Sequence, residues 1–280
     1  MTSGVSQPVT PTPVDPVDVP VVLLCGGLGT RLREASERLP KPLVDIGGSP
    51  ILWHVMKTYG AHGFRRFVLC LGYKSELIKN YFLDYRMLTS DFTLRLDGDH
   101  EMTFHTDHRE EPWEVTFAET GLTTATGTRI KRAAHYLGEA EHFALSYSDG
   151  VGSVDLTAGL ARHVGSGLVG TVTGVHPTSR FGEMAVDGAL VSEFNEKPTR
   201  PAGWVNGGYF FFKREFVDGY LSGEPDEMLE HAPLRALARD RQLGVVEHNG
   251  FWHGMDTYRD WVELNQLWDR GEAEWKVWSD

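Results

Sequence analysis

Cys25-Gly26-Gly27-Leu28-Gly29-Thr30-Arg31-Leu32 follows directly on the run Val19-Pro20-Val21-Val22-Leu23-Leu24. An apolar, β-branched run that ends in glycines reads as a buried strand feeding a tight loop. Glycine carries no Cβ, so the backbone can turn sharply and successive N–H groups can face the oxygens of a phosphate. Two familiar phosphate loops do not fit. A P-loop requires Gly-x-x-x-x-Gly-Lys-[Ser/Thr], and no such string occurs in the chain. The dinucleotide fingerprint Gly-x-Gly-x-x-Gly starts at Gly27 and Gly29 but meets Leu32 where its third glycine should stand. The acidic residue expected about 20 positions on, at a strand end, has no good candidate either. Asp45 lies in Leu43-Val44-Asp45-Ile46-Gly47-Gly48, which reads as a turn. On their own these glycines would be no more than a turn. Arg31 within the loop and Lys41, in an extended stretch stiffened by Pro40 and Pro42, add the cations a triphosphate requires.

Outward from this loop, strands alternate with helices. Pro50 to Tyr59 has apolar residues at helical spacing, Phe67 to Leu71 reads as a strand and Ser75 to Phe82 as a helix. From Phe92 to Glu119 the pattern changes to period two, with an Asp97-Gly98 turn signal, and reads as a β-excursion. Phe143 to Tyr147 is a strand that ends in Ser148-Asp149-Gly150. Leu168 to Val175 and Tyr209 to Phe212 are further strands, and Tyr258 to Trp268 is a closing helix. This alternation predicts an α/β fold with a mostly parallel sheet and helices on both faces. Residues 1–18, broken by Pro8, Pro11, Pro13 and Pro16, read as a disordered tail, leaving 19–280 as one domain.

Composition narrows the class. The net charge of -12 argues against nonspecific nucleic-acid binding, which needs a basic footprint. No apolar run approaches the roughly 18 residues of a membrane span, and the N-terminus lacks the pattern of a secretory signal. Cys25 and Cys70 sit in apolar runs and read as buried thiols of a cytoplasmic protein. His105 and His108 have no Cys or Glu spacing to support a metal pair, and His54 and His62 read as part of a packed or wet helix face.

Gly26-Gly27-Leu28-Gly29-Thr30-Arg31-Leu32 with Pro40-Lys41-Pro42-Leu43 resembles the sugar-1-phosphate nucleotidyltransferases. Pro50-Ile51-Leu52-Trp53-His54, Glu111-Pro112-Trp113, Gly127-Thr128-Arg129-Ile130-Lys131-Arg132, Arg180-Phe181-Gly182, Glu196-Lys197-Pro198 and Met255-Asp256-Thr257 narrow the resemblance to the glucose-1-phosphate cytidylyltransferases. It extends from about Val19 to the C-terminus. It implies a Rossmann-like three-layer fold with a mostly parallel mixed sheet and a β-hairpin excursion. The substrates it implies are CTP and glucose 1-phosphate, the cofactor Mg2+, and the assembly a homo-oligomer; the excursion from Phe92 to Glu119 is our candidate for its contact surface.

By this resemblance Gly26, Gly27, Leu28, Gly29, Thr30 and Arg31 hold the triphosphate, and Lys41 faces the α-phosphate. Thr120 and Gly121 shape the base pocket, while Thr124, Arg129 and Ser148 contact the nucleotide. Gly182, Glu196, Lys197, Asn206 and Gly207 lie on the sugar side. Arg31, Lys41 and Lys197 carry the catalytic charge, and Asp149 and Asp256 are the metal ligands. The sequence departs from the family pattern at Cys25, Leu39, Ser148, His253 and Gly254. Two competing classes are weaker. A dinucleotide-dependent oxidoreductase or epimerase lacks its third glycine, and a noncatalytic sensor would not need both aspartates, Arg31 and Lys41.

Overall fold

The structure is a computed structural model and describes residues 13–27, 39–98, 100–105, 111–176, 183–187, 190–195 and 203–279. Fifteen strands are present among them. They are β1 (Val21–Leu24), β2 (Asp45–Ile46), β3 (Ser49–Pro50), β4 (Arg66–Leu71), β5 (Phe92–Leu94), β6 (Met102–Phe104), β7 (Glu114–Glu119), β8 (His142–Tyr147), β9 (Gly150–Gly152), β10 (Gly170–Val175), β11 (Glu183–Asp187), β12 (Leu190–Asn195), β13 (Val205–Lys213), β14 (Leu243–His248) and β15 (Trp252–Gly254). The helices are α1 (Ile51–Ala61), α2 (Ser75–Leu83), α3 (Tyr85–Thr89), α4 (Thr126–Ala133), α5 (Leu156–Ser166), α6 (Glu215–Gly219), α7 (Ala232–Arg239) and α8 (Tyr258–Asp269).

Seven strands make the central sheet in the order β14-β10-β13-β8-β1-β4-β7. β1 runs parallel to both β4 and β8, β4 to β7, and β10 to β14, whereas β13 is antiparallel to β8 and β10. The sheet is therefore the mostly parallel mixed one expected from the sequence. Its two faces bury separate cores because side chains alternate along each strand. Val21, Leu23 and Cys25 pack on one side with Ile51, Val55 and Tyr59 of α1. Val22 and Leu24 pack on the other with Ile130 and Ala133 of α4. All six side chains named on the first face are at most 1 % exposed. Burying each Val or Leu contributes about 1.5–3 kcal/mol.

The chain moves from β1 outward to β4 and β7, then returns to place β8 on the other side of β1. This reversal opens a crevice at the carboxyl ends of β1 and β8, where ligands of open α/β sheets bind. No helix among the described residues is long and apolar enough to cross a membrane.

Three local expectations change. β5 and β6 do form a hairpin, but Glu114–Glu119 is the edge strand of the central sheet, paired with β4 through Phe67↔Val115 and Leu69↔Phe117. Val115 and Phe117 pack on one core and Ala118 on the other, so the strand is covered on both faces, which period-two alternation alone does not tell from a hairpin. Lys41 does not lie in extended chain. It begins a 3-10 turn, Lys41–Leu43, closed by Leu43 N–H to the Pro40 carbonyl at 2.8 Å. Pro42 is tolerated there because a helix start needs no N–H from it. Within the segment read as a tail, Pro16–Asp18 form a 3-10 turn capped by Asp15, and Val14 packs on the core. Residues 1–12 lie outside the described residues.

Candidate active site

Asp149 follows β8 at the open end of the crevice, and Asp256 follows β15. They meet because β9 and β15, the two-stranded ribbon beside them, pair antiparallel with Gly150 opposite Gly254. The Met255 N–H also donates to the Asp149 carbonyl at 2.8 Å. Lys41 reaches into the same place. Its Nζ donates to Asp149 Oδ2 at 2.7 Å and to Asp256 Oδ1 at 2.8 Å. Burial pulls the lysine pKa down, but the two carboxylates outweigh burial and hold it above its ordinary value. The side chain is 14 % exposed while the carboxylates are 38 % and 50 % exposed, so the cation lies beneath a negative rim open to solvent.

The start of the glycine loop, Gly26, is held by a buried arginine. Arg129, on α4 and 4 % exposed, donates through Nη2 to the carbonyls of Gly26 and Leu122, and through Nη1 to the Leu71 carbonyl and the Thr120 hydroxyl. A Cβ on Gly26 would lie 2.2 Å from the Arg129 Cζ, and one on Gly72 2.7 Å from its Nη1. Glycine is required at both positions so that the guanidinium can lie against the chain. Ser148 closes the crevice floor by donating to the Leu24 carbonyl at 2.8 Å, tying the end of β8 to the end of β1. The loop after β7 is braced by Arg132, whose Nη1 donates to the Thr120 carbonyl and the Thr124 hydroxyl. Gly121 there has φ +102 and no room for a side chain beside Thr124.

A cleft of about 160 Å3 adjoins the aspartates, lined by Tyr147, Asp149, Asn206, Gly207, Trp252 and Asp256 among others. The Trp252 Nε1–H donates to the Gly207 carbonyl at 2.8 Å and holds the indole as one wall.

The family model described as nucleotidyl transferase matches residues 20–270. The chain belongs to the nucleotidyl transferase family. This nucleotidyltransferase is 42% identical over 92% of its length to 99% of a Salmonella typhi protein named glucose-1-phosphate cytidylyltransferase. The Salmonella typhimurium protein of that name matches with the same identity and coverage. The crystal structure of HddC from Yersinia pseudotuberculosis complexed with GMP-PN superposes with a TM-score of 0.64. It is 22% identical and covers 89% of this chain and 99% of its own, a likeness of fold. Nucleotidyltransferases generally use a divalent metal.

Of the residues expected from the sequence, the fold gathers Gly26, Gly27, Lys41, Thr120, Gly121, Thr124, Arg129, Ser148, Asp149, Asn206, Gly207 and Asp256 at the carboxyl ends of the strands and the adjoining cleft. Leu28, Gly29, Thr30, Arg31, Gly182, Glu196 and Lys197 lie outside the described residues. Tyr147, Trp252 and Arg132 border the same site without having been given a role by sequence reasoning. Tyr147 could have been suspected from its place two residues before Asp149. Nothing in the sequence marks the other two as facing the cleft or its loop.

Proposed function

We propose that this nucleotidyltransferase transfers a cytidylyl group from CTP to α-D-glucose 1-phosphate, giving CDP-glucose and pyrophosphate. The observation that carries the reading is the convergence of Asp149 and Asp256 on Lys41 beside the glycine loop. The match along nearly the full length of the Salmonella enzymes supports the choice of substrates.

An oxygen of the sugar phosphate attacks the α-phosphorus, and the bond from that phosphorus to the bridging oxygen breaks. The electron pair leaves with pyrophosphate. A phosphate monoester is largely dianionic at neutral pH, its second pKa being about 6, so the nucleophile needs no protein base. Positioning and charge neutralisation remain as the work of the protein. The main chain at Gly26 and Gly27 cradles the triphosphate, and Lys41 stabilises charge that grows around the α-phosphorus. Arg31 extends that charge on the triphosphate, while Lys197 with Glu196 serves the sugar phosphate and hydroxyls.

Asp149 and Asp256 fit a magnesium ion. Both are hard oxygen donors and both already face one cation, so these two carboxylates would hold a magnesium ion. No group of three or more acidic, His or Cys side chains forms an all-protein cage among the described residues. When bound, magnesium neutralises charge on the phosphates.

Base choice rests on the loop from Thr120 to Arg129. The Thr120 hydroxyl donates to the Leu71 carbonyl and accepts from Arg129, so it is engaged within the protein, and the loop's main chain and its other threonine hydroxyls are left for the base edge. A carbonyl there accepts from the cytosine amino group and repels the uracil carbonyl. A mismatched buried polar contact costs about 1–3 kcal/mol, or roughly ten- to hundredfold.

A second copy of the chain is the partner we infer. α2, α3 and the β5–β6 hairpin expose Leu83, Leu88, Leu94, Leu96 and Met102, next to an apolar groove lined by Phe82, Trp113 and Phe117. Arg86 lies 4.0 Å from the Phe104 ring centroid and joins α3 to the hairpin, making one face of them. Apolar faces of this kind mark contact sites.

The test is a matrix of nucleoside triphosphates against hexose 1-phosphates, read by pyrophosphate release. CTP with glucose 1-phosphate should give the highest kcat/KM. Equal rates with UTP, or a preference for UTP or dTTP, would refute the cytidylyl assignment.

A further inference from the structure

Glu230 stands behind the cleft beside the aspartates. Its Oε1 accepts the Tyr147 phenolic proton in a short hydrogen bond, and its Oε2 accepts from the Thr126 hydroxyl at 3.0 Å. Thr126 is the first residue of α4, and its Oγ1 accepts the Leu229 N–H at 2.8 Å. One carboxylate therefore joins the end of β8, which carries Asp149, to the helix that carries Arg129.

The chemistry of the pair is one-sided. An ionised carboxylate only accepts, so Tyr147 must donate its single proton to it. What the phenol can offer in any other direction is a lone pair. Tyr147 lines the cleft. Its ring is fixed against Gly208, where a Cβ would lie 2.7 Å from the tyrosine Cδ2 and φ is +79. The Asn206 side chain flanks the hydroxyl, with its own Oδ1 engaged by the Gly208 N–H at 2.8 Å. The amide group of Asn206 is thus the donor to the Tyr147 oxygen, and the phenol's other lone pair is the acceptor that faces a ligand.

We propose that Glu230 is a positioning residue that turns Tyr147 into a fixed hydrogen-bond acceptor for one hydroxyl of the hexose. Tyr147 is thereby a specificity determinant for the sugar phosphate, and this rests on the sugar-1-phosphate reading given above. Glu230 is separable from the nucleotide side because α4 has other anchors. Ala125 N–H donates to the Pro225 carbonyl, Gly127 N–H to the Glu227 carbonyl, and the Thr128 hydroxyl to the Glu224 carbonyl. Removing Glu230 leaves the helix docked and frees the phenol.

The experiment compares the wild type with Tyr147→Phe, Glu230→Ala and the double variant, using CTP with glucose 1-phosphate and its 2-, 3-, 4- and 6-deoxy analogues. Circular dichroism melting confirms folding, and Tyr147→Phe keeps the ring should Glu230→Ala fold poorly. Each single variant should raise the KM for glucose 1-phosphate about tenfold, the worth of one hydrogen bond of roughly 1.4 kcal/mol. The KM for CTP should move less than about twofold. One deoxy analogue, penalised by the wild type, should lose its penalty in Tyr147→Phe, and the double variant should match Glu230→Ala. Penalties unchanged in Tyr147→Phe, or additive effects in the double variant, would overturn the inference while leaving the enzyme a sugar-1-phosphate nucleotidyltransferase. A wild type that releases pyrophosphate with no hexose 1-phosphate overturns the reading beneath it.

Discussion

Arg129 donates through Nη2 to the carbonyl of Gly26 at 2.9 Å, joining a helix in the middle of the chain to the glycine loop near its start. The start of the loop, at Gly26, is thus tied to a buried cation. Burial pulls the guanidinium pKa down, yet a guanidinium stays protonated in proteins. Four acceptors share its charge.

Arg129→Ala should lower stability by about 2–4 kcal/mol, because buried carbonyls at Gly26 and Leu71 lose a charged donor. Arg129→Lys should recover little of it, since an ammonium lacks the planar fork that spans acceptors on separate strands. Denaturant unfolding at pH 7 measures both. A lysine variant as stable as the wild type would mean the fork geometry is unimportant.

Chelation should abolish turnover and magnesium restore it. Lys41→Met should lower kcat by roughly a hundred- to thousandfold, the usual cost of one transition-state donor, with a small change in the KM for CTP. If instead kcat holds and KM rises, Lys41 is a ground-state anchor.

His54 gives the fold an acid limit. It is fully buried on α1, and its Nε2 lies 2.9 Å from the Ile46 carbonyl while Trp275 Nε1–H donates to its Nδ1 at 3.3 Å. The ring is therefore the neutral tautomer with its proton on Nε2. Burial lowers its pKa from 6.5 to about 4. Between those values the unfolded chain binds a proton that the folded chain refuses, so stability falls as pH drops from about 6.5 to 4. The loss reaches about 3 kcal/mol at most. His163, lowered to about 3 by burial first and then by His142, adds to the same limb. His54→Gln should be less stable at pH 7 but show a flatter decline between pH 6.5 and 4.5. An unchanged slope would assign the acid limb to other groups.

Leu94→Lys with Leu96→Glu should convert the assembly to smaller species in light scattering without lowering the melting temperature of the monomer by more than about 2 °C, since these side chains are exposed in the isolated chain. Unchanged mass would place the contact elsewhere.

Local chemistry was legible where a residue's neighbours in sequence are also its partners in function. The apolar run before Gly26 marked the first strand, and the family resemblance singled out Asp149 and Asp256. Lys41 was found as a cation but misplaced as extended chain, because Pro42 is compatible with both extended chain and the first turn of a helix. Glu114–Glu119 was misassigned because period-two alternation marks a strand but does not say which sheet it joins.

By itself the sequence determined the class of chemistry and the frame beneath it: a buried strand running into glycines and a mostly parallel α/β alternation. Only the tertiary structure decided that Arg129 faces the backbone of Gly26, that Ser148 ties β8 to β1, and that Glu230 stands behind Tyr147. The physical reason is that these contacts join residues far apart in the chain. Their partners are fixed by strand order and by the pairing of β9 with β15, and strand order is settled by the burial of two whole sheet faces, which no single segment encodes.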